Sequence, residues 1–263
     1  MKHIRTIIEK EWAEVFKNRM VLMSFILMPL LFAFLPLVML GSMGGAGLSS
    51  SAVESGLPQE AMAVCKGLSG GECIQVYMLN QFMVFFMMMP MMLPAMIAAY
   101  SIVGEKTTRS LEPLLATPVT TIELLIGKAL SAALPAIGVS LLSFGIFLLG
   151  TFVLKLSPAL RLFALNPVWL AGILLLGPVL AIISVIVAIF ISSRVNDPRA
   201  AEQISGVLVM PLMLLFILQI VGKVVINLGF MLVTIALCAL LAGGLFIFGI
   251  KVFDRENILT QWK

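Results

Sequence analysis

Six stretches of this chain each run for about 20 residues or more without a single Asp, Glu, Lys, Arg or His. They lie near 20–41, 77–103, 129–154, 168–193, 204–222 and 225–250. A bilayer's hydrocarbon core takes about 20 helical residues to cross. No water is available there to satisfy the backbone, so a single apolar segment can cross only as a helix. The chain therefore reads as an all-α integral membrane protein with six transmembrane helices. Composition agrees: 61% of residues are hydrophobic and 11% charged, where a soluble domain carries about 25% charged residues.

With six spans, both termini share a side. That side holds 13 of the 17 Lys and Arg residues; only Lys66, Lys155, Arg161 and Lys223 fall opposite. Basic residues are retained in the cytoplasm, so the expected orientation is a cell-membrane protein with both termini cytoplasmic. The net charge of +4 is then a topology signal. No basic cluster is interleaved with stacking aromatics, so nucleic acid is not an expected partner.

Residues 1–19 place Ile4, Ile7, Ile8, Trp12, Val15 and Phe16 on one helical stripe, with most charges elsewhere. This is the pattern of an amphipathic helix at the inner membrane surface, in contact with lipid. The basic tract is long for a signal peptide and no small-x-small cleavage site follows. Residues 20–263 form the six-span domain. Its largest external loop, 42–76, holds Cys65 and Cys73 on the oxidising side. A disulfide between them is the preferred reading over two unpaired thiols, although sequence alone does not fix connectivity. Cys238 sits mid-span as an ordinary buried small residue.

The second span is crowded with methionine (Met83, Met87, Met88, Met89, Met91, Met92, Met96) and interrupted by Pro90 and Pro94. Methionine can fill gaps or face lipid; it can form an adaptable wall for varied apolar substrates; as a thioether it can also bind Cu(I). No Cys or His supports the metal reading inside this span, and no metal site is expected. Trp169 falls where an interfacial aromatic is expected. Asp197 can cap a helix whose first residue is Pro198.

The stretch 104–128, GEKTTRSLEPLLATPVTTIELLIGK, is a polar interruption between the second and third spans. Thr117 with Pro118, or Thr120 with Glu123, can start a helix. Leu111, Leu114, Leu115, Ile122, Leu124 and Leu125 recur at helical spacing, which predicts two short amphipathic helices. Gly104-Glu105-Lys106, Arg109-Ser110-Leu111-Glu112, Leu114 to Val119 and Gly127-Lys128 together resemble the segment after the second span of ABC-2 type exporter permeases. The resemblance implies coupling helices that sit on a separate ATPase subunit. Carried onto this chain, the coupling residues are Glu105, Lys106, Arg109, Glu112, Thr117 and Pro118, with Asp197 and Arg199 in the second inner loop. It further implies two ATPase copies, a second permease subunit (the same chain or a relative), and ATP with Mg bound by the ATPase.

The chain itself lacks a GxxxxGK[ST] phosphate loop, HExxH and GxSxG. Its one histidine is His3. The charge-free spans disfavour an ion-coupled carrier, so energy must come from a partner. The expected reading is a non-enzymatic permease subunit moving a hydrophobic or amphipathic substrate. The expected cavity is lined by the second and fifth spans: Asn80, Gln81, Phe85, Phe86, Met89, Met213, Phe216 and Gln219. The alternatives are a membrane scaffold or sensor that docks a cytoplasmic partner through the same helices, and a permease for metal or ion export.

Overall fold

The computed structural model describes residues 2–45, 68, 70–107, 120–224 and 226–252. Helix α1 (Lys2–Val15) is followed by α2 (Arg19–Gly45), α3 (Gly70–Thr107), α4 (Thr121–Val153), α5 (Pro158–Ala164) and α6 (Pro167–Ala171). A π-helical turn, Gly172–Leu176, leads into α7 (Gly177–Arg194). Then come α8 (Pro198–Ser205), a 3₁₀ turn (Gly206–Val209), α9 (Met210–Ile220) and α10 (Leu228–Val252). The described residues contain no strand. Six helical runs are long and apolar enough to cross a membrane: Val21–Met43, Gly71–Glu105, Ile122–Val153, Pro158–Arg194, Pro198–Ile220 and Leu228–Gly249. The chain is an all-α integral membrane protein.

The spans alternate in direction, and side-chain bonds at the two ends show it. At one end Lys128 reaches Glu11 and Glu105; this is called the basic end below. At the other end Gln75 donates to Leu40 O and Tyr77 to Ile220 O.

Helix α3 is the central element. In its most apolar window 83% of residues are buried, against 6% for α10. Met92 is 39% exposed, whereas Met83, Met87, Met88, Met89 and Met91 are buried and are core residues. They pack with Phe86, Phe144, Phe147, Trp169 and Leu180 in one apolar cluster. A second cluster, nearer the basic end, joins Leu93, Ile97 and Ile102 of α3 to Ala132 and Ala136 of α4, Val185 and Ile189 of α7, and Val15 of α1.

The closest seam is between α3 and α7. A Cβ placed on Gly172 would fall 1.8 Å from Met87 Cε, so any larger residue there would make the Met87 side chain move. The π turn begins at that residue. Ser184 Oγ donates to Met91 O across the same seam.

Several expectations are corrected. Trp169 is 2% exposed, in the core, where it packs with the methionines of α3; Asn166 caps α6 by accepting from Val168 N. The fourth span starts earlier than its charge-free run at 168: α5 lies between the third and fourth runs and extends the fourth span at its start. The second and third spans are longer than their charge-free runs: α3 begins at Gly70 in place of 77, and α4 at Thr121 in place of 129. Helical hydrogen bonding does not stop at the first charge when that charge finds a partner. Helix α4 instead starts where Thr120 and Glu123 form a capping box, with Glu123 N donating to Thr120 Oγ1 and Thr120 N donating to Glu123 Oε2. This is the second of the two helix starts read from the sequence. Thr117 and Pro118 lie outside the described residues.

Candidate functional site

Two features of the basic end stand out, one ionic and one a pocket. The ionic one begins in α1. Its apolar stripe packs on α4, where Ile7 approaches so closely that a Cβ on Gly127 would sit 2.9 Å from Ile7 Cγ2. Trp12 Nε1 donates to Ser131 O of α4 at 2.9 Å. Between these two anchors Glu11 turns the same way, and it is 1% exposed.

A lone carboxylate there would be costly to bury. It is met by Lys128 Nζ at 2.8 Å. The same ammonium lies 2.7 Å from Glu105 Oε2 of α3 and donates to Ser101 Oγ at 3.0 Å. Ser101 in turn donates to Glu11 Oε2. Lys10 closes the cluster, 2.7 Å from Glu105 Oε1. Two carboxylates and two ammoniums thus join three helices, and Glu105 and Lys128 are 3% and 8% exposed. Burial pulls the Lys10 ammonium pKa down, but the hydrogen bond and charge of Glu105, helped by Glu14 and Glu11, outweigh it. Its pKa ends above the ordinary lysine value.

Glu105 is thereby placed differently from the sequence expectation of an outward coupling residue. Its carboxylate faces into the protein because Lys10 and Lys128 converge on it. Lys106 falls at the end of α3. Arg109 and Glu112 lie outside the described residues, as does the expected joint between two short helices. Asp197 does cap α8, accepting from Arg199 N at 2.9 Å, with Pro198 in the first turn. Arg199 is exposed.

The pocket lies between α2, α3 and the α8–α9 junction and has a volume of about 500 Å³. Met28, Phe32, Met89, Met91, Met92 and Met96 make its apolar wall. Its rim is polar: Ser24, Tyr100, Arg199, Glu202, Gln203 and Ser205. Gly206 lines it too, and a Cβ there would meet nothing within 4 Å.

Of the expected cavity residues, Met89 alone lines this pocket. The second and fifth spans are neighbours as expected, but towards the opposite end their seam is closed by rings. Phe85 and Phe216 have centroids 4.9 Å apart, and Phe32 stacks on Phe85 at 5.6 Å. Phe86 turns away to Phe144 and Phe147 of α4. Gln219 Nε2 donates to Asn80 O at 3.5 Å. Gln81 is buried with neither amide atom hydrogen-bonded, and Gln219 Oε1 is likewise unbonded. Met213 is exposed. Of the cysteines, Cys238 is a free thiol and Cys73 is disulfide-bonded. Cys65 lies outside the described residues, so its pairing with Cys73 stays a proposal.

Sequence reading missed Glu11 and gave Lys128 no role. The signal for Glu11 was present: it lies four residues after Ile7 and four before Val15, inside the apolar stripe.

Six alternating spans and an N-terminal helix packed on their basic end, with a pocket beside it, define a multi-pass membrane protein. The family model for the ABC-2 family transporter protein matches residues 5–253. The chain belongs to that family and is a permease component of an ABC transporter. No curated protein matches it.

Proposed function

We propose that this chain is the membrane subunit of an ATP-driven exporter and that it carries a hydrophobic or amphipathic substrate through the pocket between α2, α3 and the α8–α9 junction. The observation that carries this reading is the pocket's division: a methionine wall on one side, a rim of Arg199, Glu202, Gln203 and Tyr100 on the other. Apolar pockets with a few polar groups hold ligands by area and orient them by the polar end. Unbranched thioether side chains adapt to several shapes.

The energy comes from ATP and Mg held by a separate ATPase, of which two copies serve a pair of permease subunits. The basic end faces the cytoplasm, and the ATPase docks on the segment between α3 and α4 (Arg109, Glu112, Thr117, Pro118) and on Asp197 and Arg199. Cys65 and Cys73 then lie outside and form a disulfide. The amphipathic N-terminal helix and the six-span domain of residues 20–263 act as one unit.

The test fills the pocket. Gly206→Phe adds a ring where the wall leaves space. Co-expressed with its ATPase, this variant should assemble and hydrolyse ATP as the parent does, while losing at least 10-fold of the ATPase stimulation by apolar and amphipathic compounds. Unchanged stimulation by every compound that stimulates the parent would refute the assignment of this pocket.

A further inference from the structure

We propose that Glu11, Glu105 and Lys128 are positioning residues. They lock α1 to the basic ends of α3 and α4, so that α1, and through it α2, follows any displacement of the segment joining α3 to α4. The inference rests on the reading above, that the ATPase pushes on that segment.

Three observations lead to it. First, Lys128 is shared by carboxylates from two other helices, 2.8 Å from Glu11 and 2.7 Å from Glu105. Glu105 and Lys128 lie close to the two ends of the joining segment, so the cluster ties both ends to α1. Second, α1 connects to α2 through only Phe16, Lys17 and Asn18. Phe16 is fixed at the junction by edge contacts to Trp12 and Phe25, with centroids 6.5 and 6.0 Å away. Third, α2 and α3 supply most of the pocket's apolar wall. The route from the joining segment to the pocket is thus short: directly along α3, and through α1 into α2.

Charge is the physical reason that this is a lock and not merely a packed seam. An apolar helix face can slide one turn along its neighbour and still bury the same kind of surface. A buried ammonium held by two carboxylates and a hydroxyl cannot, because each ion would be left without its partner. The cluster therefore fixes register, which an apolar stripe such as Ile4, Ile7, Ile8 and Val15 leaves loose.

The experiment uses the permease with its ATPase in membranes, with Cys238→Ser and a reporter, Met92→Cys, in the pocket wall. Labelling of the reporter by a maleimide is timed in nucleotide-free and vanadate-trapped complexes. In the parent, the rate should differ at least threefold between the two states. In the neutral variant (Glu11→Gln, Glu105→Gln, Lys128→Met), ATP hydrolysis should persist while the difference disappears. A disulfide between Ile7→Cys and Gly127→Cys, where a Cβ on 127 lies 3.1 Å from Ile7 Cβ, should restore it in the neutral variant.

A neutral variant that keeps the parent's difference overturns the inference, as does one that stays unresponsive when cross-linked. If the neutral variant fails to assemble, the same disulfide in the otherwise native chain decides: an unchanged difference supports a single rigid body, and its loss overturns it. A parent that shows no difference refutes the pocket reading itself. Reversal of Arg109 and Glu112 (Arg109→Glu with Glu112→Arg) without effect refutes the docking segment separately.

Discussion

Lys128 is the ammonium that meets buried Glu11, so its removal alone should cost more than removing Glu11, Glu105 and Lys128 together. Lys128→Met leaves Glu11, 1% exposed, without that cation and Glu105 with Lys10 in its place, and breaking a buried pair this way costs about 3–5 kcal/mol. Replacing Glu11, Glu105 and Lys128 together by Gln, Gln and Met should cost less, because the one charge left, the Lys10 ammonium, is partly exposed and keeps Glu14 at 3.7 Å. Unfolding of the purified protein in detergent would order the two variants; a triple variant less stable than the single one would contradict this reading. Lys10 gives a pH signature. Its pKa is raised in the folded state, so its contribution is fully present below the unfolded lysine value and is lost as pH rises through the folded one. Melting curves should show an advantage of the parent over Lys10→Met that fades above about pH 10.5. The same residues show what a sequence conceals. The stripe of α1 could be read from Ile4, Ile7, Ile8, Trp12, Val15 and Phe16, and Glu11 stands within it. Its partner could not, because Lys128 is 117 positions away and no local period connects them.

Helix identity was more legible than helix extent. Apolar run length located all six spans, because the bilayer imposes that length on any helix that crosses it. The ends were cut at charges, and that rule failed where a charge was paired: α3 runs past Glu105, and α4 starts before Lys128. Capping chemistry did better. Thr120 with Glu123 and Asp197 with Pro198 mark true helix starts, since the side-chain oxygens answer local amides and depend on no distant partner. The pocket was half legible. The second and fifth spans do meet, but the aromatic residues chosen for a cavity fill the space between them, as Phe85 and Phe216 show. Whether bulky side chains line a space or close it depends on helix rotation, which a charge-free span does not encode. At this scale Asp197→Ala should cost about 0.5–2 kcal/mol and act locally. Hydrogen exchange should quicken at the first amides of α8 and stay unchanged in α3. Equal acceleration in both would mean that α8 is not an independent cap.

At the scale of the molecule, orientation decides which surface an ATPase can reach, and it can be tested without knowing the substrate. The charge bias is reproduced in space: Arg5, Lys10, Lys128, Arg194 and Arg199 belong to helix ends at the basic end, while Lys155, Arg161 and Lys223 belong to the opposite end. Retention of Lys and Arg on the cytoplasmic side then predicts that the basic end is inside. Thr120 and Lys155 are exposed at opposite ends of α4, so one helix carries both reporters and its length separates them. Thr120→Cys and Lys155→Cys would be introduced singly, with Cys238→Ser. On intact cells a membrane-impermeant maleimide should label Lys155→Cys and leave Thr120→Cys untouched until the membrane is opened. Labelling of both would point to leaky cells or a water-filled path beside α4, and the α10 end near Lys223 would then serve as a second outside reporter. Labelling of Thr120→Cys alone would invert the molecule. The segment between α3 and α4 would then be extracellular, beyond the reach of an ATP-bound partner, and both the docking surface and the lock built on it would fall together.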